Sequence, residues 1–258
     1  MTDQELLLRD KYEGDANAAG VADDLARLEA GEPLAYVIGW APFLGLRILL
    51  STKNEAGEET RALIPRPETE WWTELLVAHL KDRFGVLPFT FLDLCAGSGA
   101  IGLKVLQEMP YAQVSFADVV PEYAALIAKN ILENNLDAAR ADIRTGDLLE
   151  PFATARFDFI ATNPPYIPGG RILDDSVSDY EPGLALFSEA DGLGVIRRIA
   201  TDAPLHLMPE GGLWMECDTD NIEEAALLLE SAPGASWKEV SLCTDLYGRP
   251  RLIVGEWQ

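Results

Sequence analysis

The chain has 258 residues, 48% of them hydrophobic and 24% charged, enough for a full-sized core in one large domain or a large domain with a small one. Acidic residues number 43 and basic residues 20, and the net charge of -23 argues against a nucleic-acid partner, which is usually met by a basic face. No apolar run approaches the ~18 residues of a membrane span, and the acidic start, MTDQELLLRDKYEGD, resembles neither a signal peptide nor a transit peptide, so the expected setting is cytoplasmic, with no membrane.

Residues 3–30 read as a short acidic helical region spaced by Leu6, Leu7, Leu25 and Leu28. GEPLAYVIGWAPFLGLRILL, 31–50, carries the Gly and Pro punctuation of a hairpin, and STKNEAGEET reads as a polar loop. IPRPETEWWTELLVAHLKDRF opens a helix, with Pro67 in its first turn and Glu68 and Glu70 at the positive end of the dipole. From residue 89 strands and helices alternate. FTFLDLC, QVSFADV, DIRTGD, FDFIATN and GGLWMECD read as strands. AIGLKVLQEM, PEYAALIAKNILENN, LGVIRRIATDAPLHLM and NIEEAALLLESA read as helices between and after them. WKEVSLCTD and RPRLIVGEW close the chain as two strands around Tyr247-Gly248. This pattern predicts a mainly parallel α/β sheet covered on both faces, with one antiparallel insertion. Cys95, Cys217 and Cys243 lie far apart and form no metal or disulfide pattern, so they read as reduced thiols, and no metal is expected. His79 and His206 stand alone on helix-like stretches and read as structural.

Two stretches carry chemistry. The first is DLCAGSGAIG, Asp93 to Gly102, where the first strand of the sheet turns into a helix. Gly97, Ser98 and Gly99 allow a tight turn whose backbone N–H groups face a ligand. Gly97-x-Gly99-x-x-Gly102, with Asp118 beyond it, also matches the dinucleotide fingerprint in form. Three features favour S-adenosyl-L-methionine over a dinucleotide. Asp93 would repel a pyrophosphate but suits a cationic aminoacyl group. There is no second mononucleotide-binding half. The second motif has no role in hydride transfer. Asp118 is placed to accept two ribose hydroxyls, or to cap the helix before Pro121. Asp147 is placed to accept an adenine amino group with Leu148 packed on the ring, or the pair is a plain loop.

The second stretch is ATNPPYIP, residues 161–168, which ends a buried strand with Asn163, Pro164, Pro165 and Tyr166. A planar amide or exocyclic amine is a poor nucleophile because its lone pair is delocalised. The Asn163 side-chain oxygen and the Pro164 carbonyl can each accept one of its N–H groups. The prolines stiffen that carbonyl, and Tyr166 can pack on the planar target. This is catalysis by positioning and electrostatics without a general base.

Together these motifs resemble the class I S-adenosylmethionine-dependent N-methyltransferases. GEPLAYVIG, IPRPETE, DYEPGLAL followed by DGL, and the ending DLYGRPRLIVG narrow the resemblance to the peptide chain release factor glutamine N5-methyltransferases, from about residue 31 onward. The resemblance implies a seven-stranded, Rossmann-like sheet, mainly parallel with one antiparallel strand. A methyltransferase domain over 61–258 would follow a short N-terminal helical region and β-hairpin over 1–60 that recognises substrate. It implies methyl transfer to the glutamine of a release factor's Gly-Gly-Gln motif, with release factors as the partners and no stable nucleic-acid binding. Glutamine methylation of a ribosomal protein and amine methylation of a base are the alternatives. Cofactor contacts are implied at Asp93, Cys95, Ala96, Gly97, Ser98, Gly99, Asp118, Asp147 and Leu148, with Asn163 shared between cofactor and target. Arg66 and Thr69 are implied beside the methionine moiety, and Glu181 and Pro182 at the substrate mouth. Cys95 stands where the family commonly has Gly, which is tolerable with a negative φ and makes it a backbone contact, not a reactive thiol.

Overall fold

A computed structural model describes all residues, 1–258. Three helices come first: α1 (Asp3–Tyr12), α2 (Val21–Glu29) and the short α3 (Leu34–Ile38). Two hairpins follow, β1 (Trp40–Phe43) with β2 (Leu46–Leu49), and β3 (Ser51–Lys53) with β4 (Glu59–Arg61). The long helix α4 (Pro67–Phe84) has Pro67 at its start, Glu68 and Glu70 in its first turn, and Lys81 and Arg83 in its last, all favourable to its dipole.

The chain then runs β5 (Phe89–Leu94), α5 (Ala100–Glu108), β6 (Ala112–Asp118), α6 (Pro121–Glu133), β7 (Ala141–Thr145) and β8 (Phe157–Thr162). Two one-turn helices, α7 (Asp175–Ser178) and α8 (Gly183–Leu186), precede α9 (Gly194–Asp202), β9 (Leu207–Glu216), α10 (Ile222–Ser231), β10 (Trp237–Thr244) and β11 (Pro250–Trp257). The seven-stranded sheet has the order β10-β11-β9-β8-β5-β6-β7, and only β11 runs against its neighbours. The chain enters at β5, winds to one edge, and returns to β8 on the other side. The switch point therefore lies between β5 and β8, where open α/β sheets bind ligands beyond their strand ends. β5 and β8 are buried almost throughout, as central parallel strands covered on both faces must be.

Three expectations change. The polar stretch 51–60 is a second hairpin, closed by a turn in which the Asn54 side chain accepts from Glu58 N–H at 2.9 Å and Gly57 has φ 82. Residues 34–38 form a helical turn, burying Tyr36 and Val37, before the first hairpin begins. The helix expected over 193–208 stops at Asp202, because Pro204 lacks the N–H a helix interior needs; a 3₁₀ turn follows, and β9 begins at Leu207.

The β1–β2 hairpin is fastened to α6 by two asparagines one turn apart. Asn130 accepts from Leu49 N–H at 2.7 Å and donates to Leu49 O at 3.1 Å; Asn134 does the same with Arg47, at 2.9 Å in each direction. These side chains satisfy a strand edge that would otherwise be open. Asn130 also donates to Ser98 O at 2.9 Å, so the hairpin is tied to the glycine-rich loop. The two histidines are structural: His79 packs among the rings of Phe159 and Trp214, and His206 Nδ1 pairs with Ala155 O at 2.8 Å.

Candidate active site

β5 ends at Leu94 and the loop turns sharply. Cys95, Gly97 and Gly99 have φ of 58, 53 and 83. The negative φ that would make a Cys tolerable at this position is thus not what the loop adopts. The Cys95 backbone lies in the left-handed region that glycine adopts without strain, and a Cβ there is costly. Burial pushes the Cys95 thiol well up, so it is not a reactive thiolate.

Two carboxylates hold the loop from beneath. Asp118, at the end of β6, accepts from Gly97 N–H at 2.8 Å and from Val120 N–H at 3.0 Å. Burial raises its carboxyl above the usual range, against the pull of the Val120, Gly97 and Val119 N–H groups. Asp118 does not cap α6, whose N-cap is Val120 without a side-chain cap bond; it accepts from Val120 N–H just ahead of the helix and lines the cleft. Asp93 accepts from Gly102 N–H at 2.8 Å, while its Oδ1 is buried with no hydrogen-bond partner. Burial holds the Asp93 carboxyl well above the usual carboxylate range. Asp93 is fully buried and does not line the cleft, so in this structure it pegs the start of α5 instead of facing a ligand.

The cleft has a volume of about 280 Å³, close to the lower end of small-molecule sites (about 300–1,000 Å³). One wall is the loop from Cys95 to Ser98, and another is Asp118 to Val120. Leu148, only 8% exposed, supplies an apolar surface beside Asp147, whose carboxylate pairs with Arg198 at 2.8 Å. Arg66 and Thr69 enter from the start of α4, and Leu184 and Ala185 close the outer side. Arg66 pairs with Glu181 at 2.6 Å, and the other Glu181 oxygen accepts from Ile64 N–H at 3.3 Å, which clasps the mouth.

Asn163 and Pro165 line the cleft; Gly99, Pro164 and Tyr166 do not. Asn163 Nδ2 donates to Thr69 Oγ1 at 3.1 Å. The Tyr166 hydroxyl donates to Glu216 Oε1 at 3.0 Å, and Tyr166 O accepts from Asn221 Nδ2 at 3.3 Å. Sequence reasoning missed Glu216, Arg198 and Leu184. Glu216 alone left a signal, a single acid at the end of the apolar run GGLWME.

The charges discriminate between ligands. Arg66 and Arg198 are the only cations in the lining, and both are paired. With Asp118 under the loop, a pyrophosphate would meet negative charge and no free counter-cation. The lining offers Asp118 oxygens as acceptors and the Leu148 side chain as an apolar surface.

Residues 68–179 match the methyltransferase small domain. Over 256 residues the chain is 32% identical to the release factor glutamine methyltransferase of Lactococcus lactis, covering 98% of this chain and 83% of that protein. The release factor glutamine methyltransferase of Bordetella pertussis is 37% identical over 234 residues, covering 89% of this chain and 80% of that one. Among solved structures, a methyltransferase from Pyrococcus furiosus is similar in fold, with a TM-score of 0.55 at 15% identity over 91% of this chain and 98% of that one.

Proposed function

This chain belongs to the release factor glutamine methyltransferase family, and we propose that its cleft carries a methyl group from S-adenosyl-L-methionine to the side-chain amide nitrogen of the glutamine in a release factor's Gly-Gly-Gln motif. The observation that carries the reading is Asn163, held at the cleft wall by Thr69 through its Nδ2, which leaves its Oδ1 to accept an N–H from a target amide. When bound, the cofactor would supply an electrophilic methyl on a sulfonium. The chain's residues do the rest.

Asn163 Oδ1 takes one N–H of the glutamine amide at the cleft wall. That fixes the nitrogen and favours its lone pair turning toward the methyl. On transfer the S–CH3 bond would break to leave a neutral thioether, the nitrogen would become positive as its bond to the methyl formed, and the Asn163 oxygen would stabilise that charge before one proton left to solvent. Orientation of this kind supplies about 7–11 kcal/mol at its upper end. Asp118 holds the ribose hydroxyls, Leu148 the base, and the loop from Cys95 to Ser98 the aminoacyl end. Asp93 acts through the loop it pegs. Asp147, half-exposed and paired with Arg198, reaches the adenine amino group by giving up a weak surface ion pair. Residues 1–60 are the proposed grip on the release factor, since their hairpin is tied to the loop through Asn130. No helix is long and apolar enough to cross a membrane; the proposed release-factor substrate is what supports a cytoplasmic setting.

The test is mass spectrometry of a purified release factor after incubation with the protein and S-adenosylmethionine. One added methylene on the Gly-Gly-Gln glutamine, absent with Asn163→Ala, is the expected result. Cofactor binding without that gain would overturn the release-factor reading and direct the search to ribosomal proteins.

A further inference from the structure

Behind Asn163 lies a carboxylate that no step above uses. Glu216, at the end of β9, is 1% exposed. Its Oε2 accepts from Thr69 Oγ1 at 2.7 Å and from Trp72 Nε1 at 2.6 Å, and its Oε1 from the Tyr166 hydroxyl at 3.0 Å. All three donors are neutral. A buried carboxylate is costly to desolvate, and packing alone would be met as well by an apolar side chain.

The arrangement of protons explains what the carboxylate does. An indole N–H can only donate, so Trp72 holds Oε2 as an acceptor. The single hydroxyl proton of Thr69 then goes to Oε2, leaving Thr69 Oγ1 only lone pairs toward Asn163. The Asn163 group facing Thr69 must therefore be its NH2, as observed, and the oxygen is the atom turned to the cleft. The same carboxylate fixes the Tyr166 hydroxyl. Thr69 and Trp72 stand one turn apart on α4, so one helix face reads both the sheet and the motif.

We propose that Glu216 is a positioning residue for methyl transfer: through Thr69 it sets which end of the Asn163 carboxamide meets the target amide, and it anchors Tyr166 beside it. This rests on the reading of Asn163 given above. Without the Oε2 acceptor, Thr69 is free to donate to Asn163 Oδ1. The carboxamide would then turn over and present N–H groups to the N–H groups of the substrate.

The variants separate acceptor from charge. In Glu216→Gln the amide oxygen must stay at the Oε2 position, because the opposite orientation would set its NH2 against the Trp72 N–H. The chain through Thr69 survives, and only the Tyr166 hydroxyl reverses. In Glu216→Met and Thr69→Val the chain is broken, and Thr69→Ser restores it. Two readouts are needed. The first is the side-chain amide signal of Asn163 in ¹⁵N NMR, assigned by its loss in Asn163→Ala, which requires no substrate. It should be kept in Glu216→Gln and Thr69→Ser and shifted in Glu216→Met and Thr69→Val. The second is steady-state kinetics with a release factor. Thr69→Val and Glu216→Met should lower kcat roughly 10- to 100-fold, with Glu216→Gln and Thr69→Ser within about fivefold of the wild type. In an Asn163→Ala background Thr69→Val, which leaves the Tyr166 anchor in place, should change kcat by less than about twofold.

An unmoved Asn163 signal in Thr69→Val overturns the proposal, as does a Thr69→Val loss of kcat that simply adds to that of Asn163→Ala. If the wild type does not methylate a release factor while the NMR signals behave as stated, the substrate reading fails and the positioning of Asn163 by Glu216 stands.

Discussion

Gly102→Ala tests whether the glycine-rich turn is built by close packing beneath it. Gly102 sits in the first turn of α5, where φ is ordinary and alanine would be the better helix former by about 1 kcal/mol. A Cβ at this position would lie 2.3 Å from Phe116 Cε1, 2.9 Å from Phe116 Cζ and 3.0 Å from Asp93 Cβ. Carbon atoms in contact sit about 3.5 Å apart, so the nearest approach is short by about 1.2 Å. Phe116 is fully buried and cannot swing into solvent. Overpacking of this kind costs about 1–3 kcal/mol, and a contact this short belongs at the upper end. Set against the helix gain of about 1 kcal/mol, the net loss is about 2 kcal/mol, or about 4–8 °C in Tm for a chain of this size. Scanning calorimetry of the cofactor-free protein reads it. Phe116→Leu removes the clashing atoms, so the double variant should be more stable than the sum of the two singles by about 1 kcal/mol or more. A Gly102→Ala variant melting with the wild type, or a strictly additive double variant, would refute the packing argument.

Asp118→Asn should lower Tm and weaken S-adenosylmethionine binding about tenfold or more in a calorimetric titration, because an amide replaces one of two charge-assisted acceptors of backbone N–H; unchanged affinity would remove Asp118 from the cofactor site. Asp93 favours its neutral form when folded, so its stabilising contribution is complete below the ordinary carboxylate range and is lost as pH rises through the higher folded value. The stability of the wild type relative to Asp93→Asn should therefore fall with rising pH, and parallel denaturant-derived curves would contradict this. Cys95→Gly should be tolerated while Cys95→Val loses about 1–2 kcal/mol, since a β-branched residue is strained at φ 58; equal melting of the two would show that the loop does not impose this conformation.

The sheet was legible because its determinants are local. Strand and helix periods alternate from residue 89, and a chain that alternates this way has few ways to cover both faces. Asn163-Pro-Pro-Tyr was legible because polar and rigid residues at the end of an apolar strand have no packing reason to be there. The rest depends on partners distant in sequence. Thr69 and Glu216 are 147 residues apart yet 2.7 Å apart in space, and nothing near Thr69 in the chain announces an acid on β9. The hairpin over 51–61 escaped notice for a related reason. Its strands are three residues long and mostly polar, so they lack the alternation that marks a half-buried strand.

The glycine spacing shows where sequence pattern and chemistry part. Gly97, Gly99 and Gly102 satisfy a dinucleotide fingerprint because that fingerprint records backbone geometry: a tight turn, a close approach, and a helix packed against a strand. All three demands are met here, the last by Gly102 against Phe116. What the spacing does not record is where the turn's donors go. Gly97 N–H is taken by Asp118 and Gly102 N–H by Asp93. Two acids beneath the loop withdraw N–H groups that a pyrophosphate would use, and of the two Asp118 is the one that lines the cleft where it would sit. The same turn that cradles an anion over free N–H groups thereby becomes a seat for a ligand that brings hydroxyls and positive charge. The carboxylates, more than the glycines, carry the specificity.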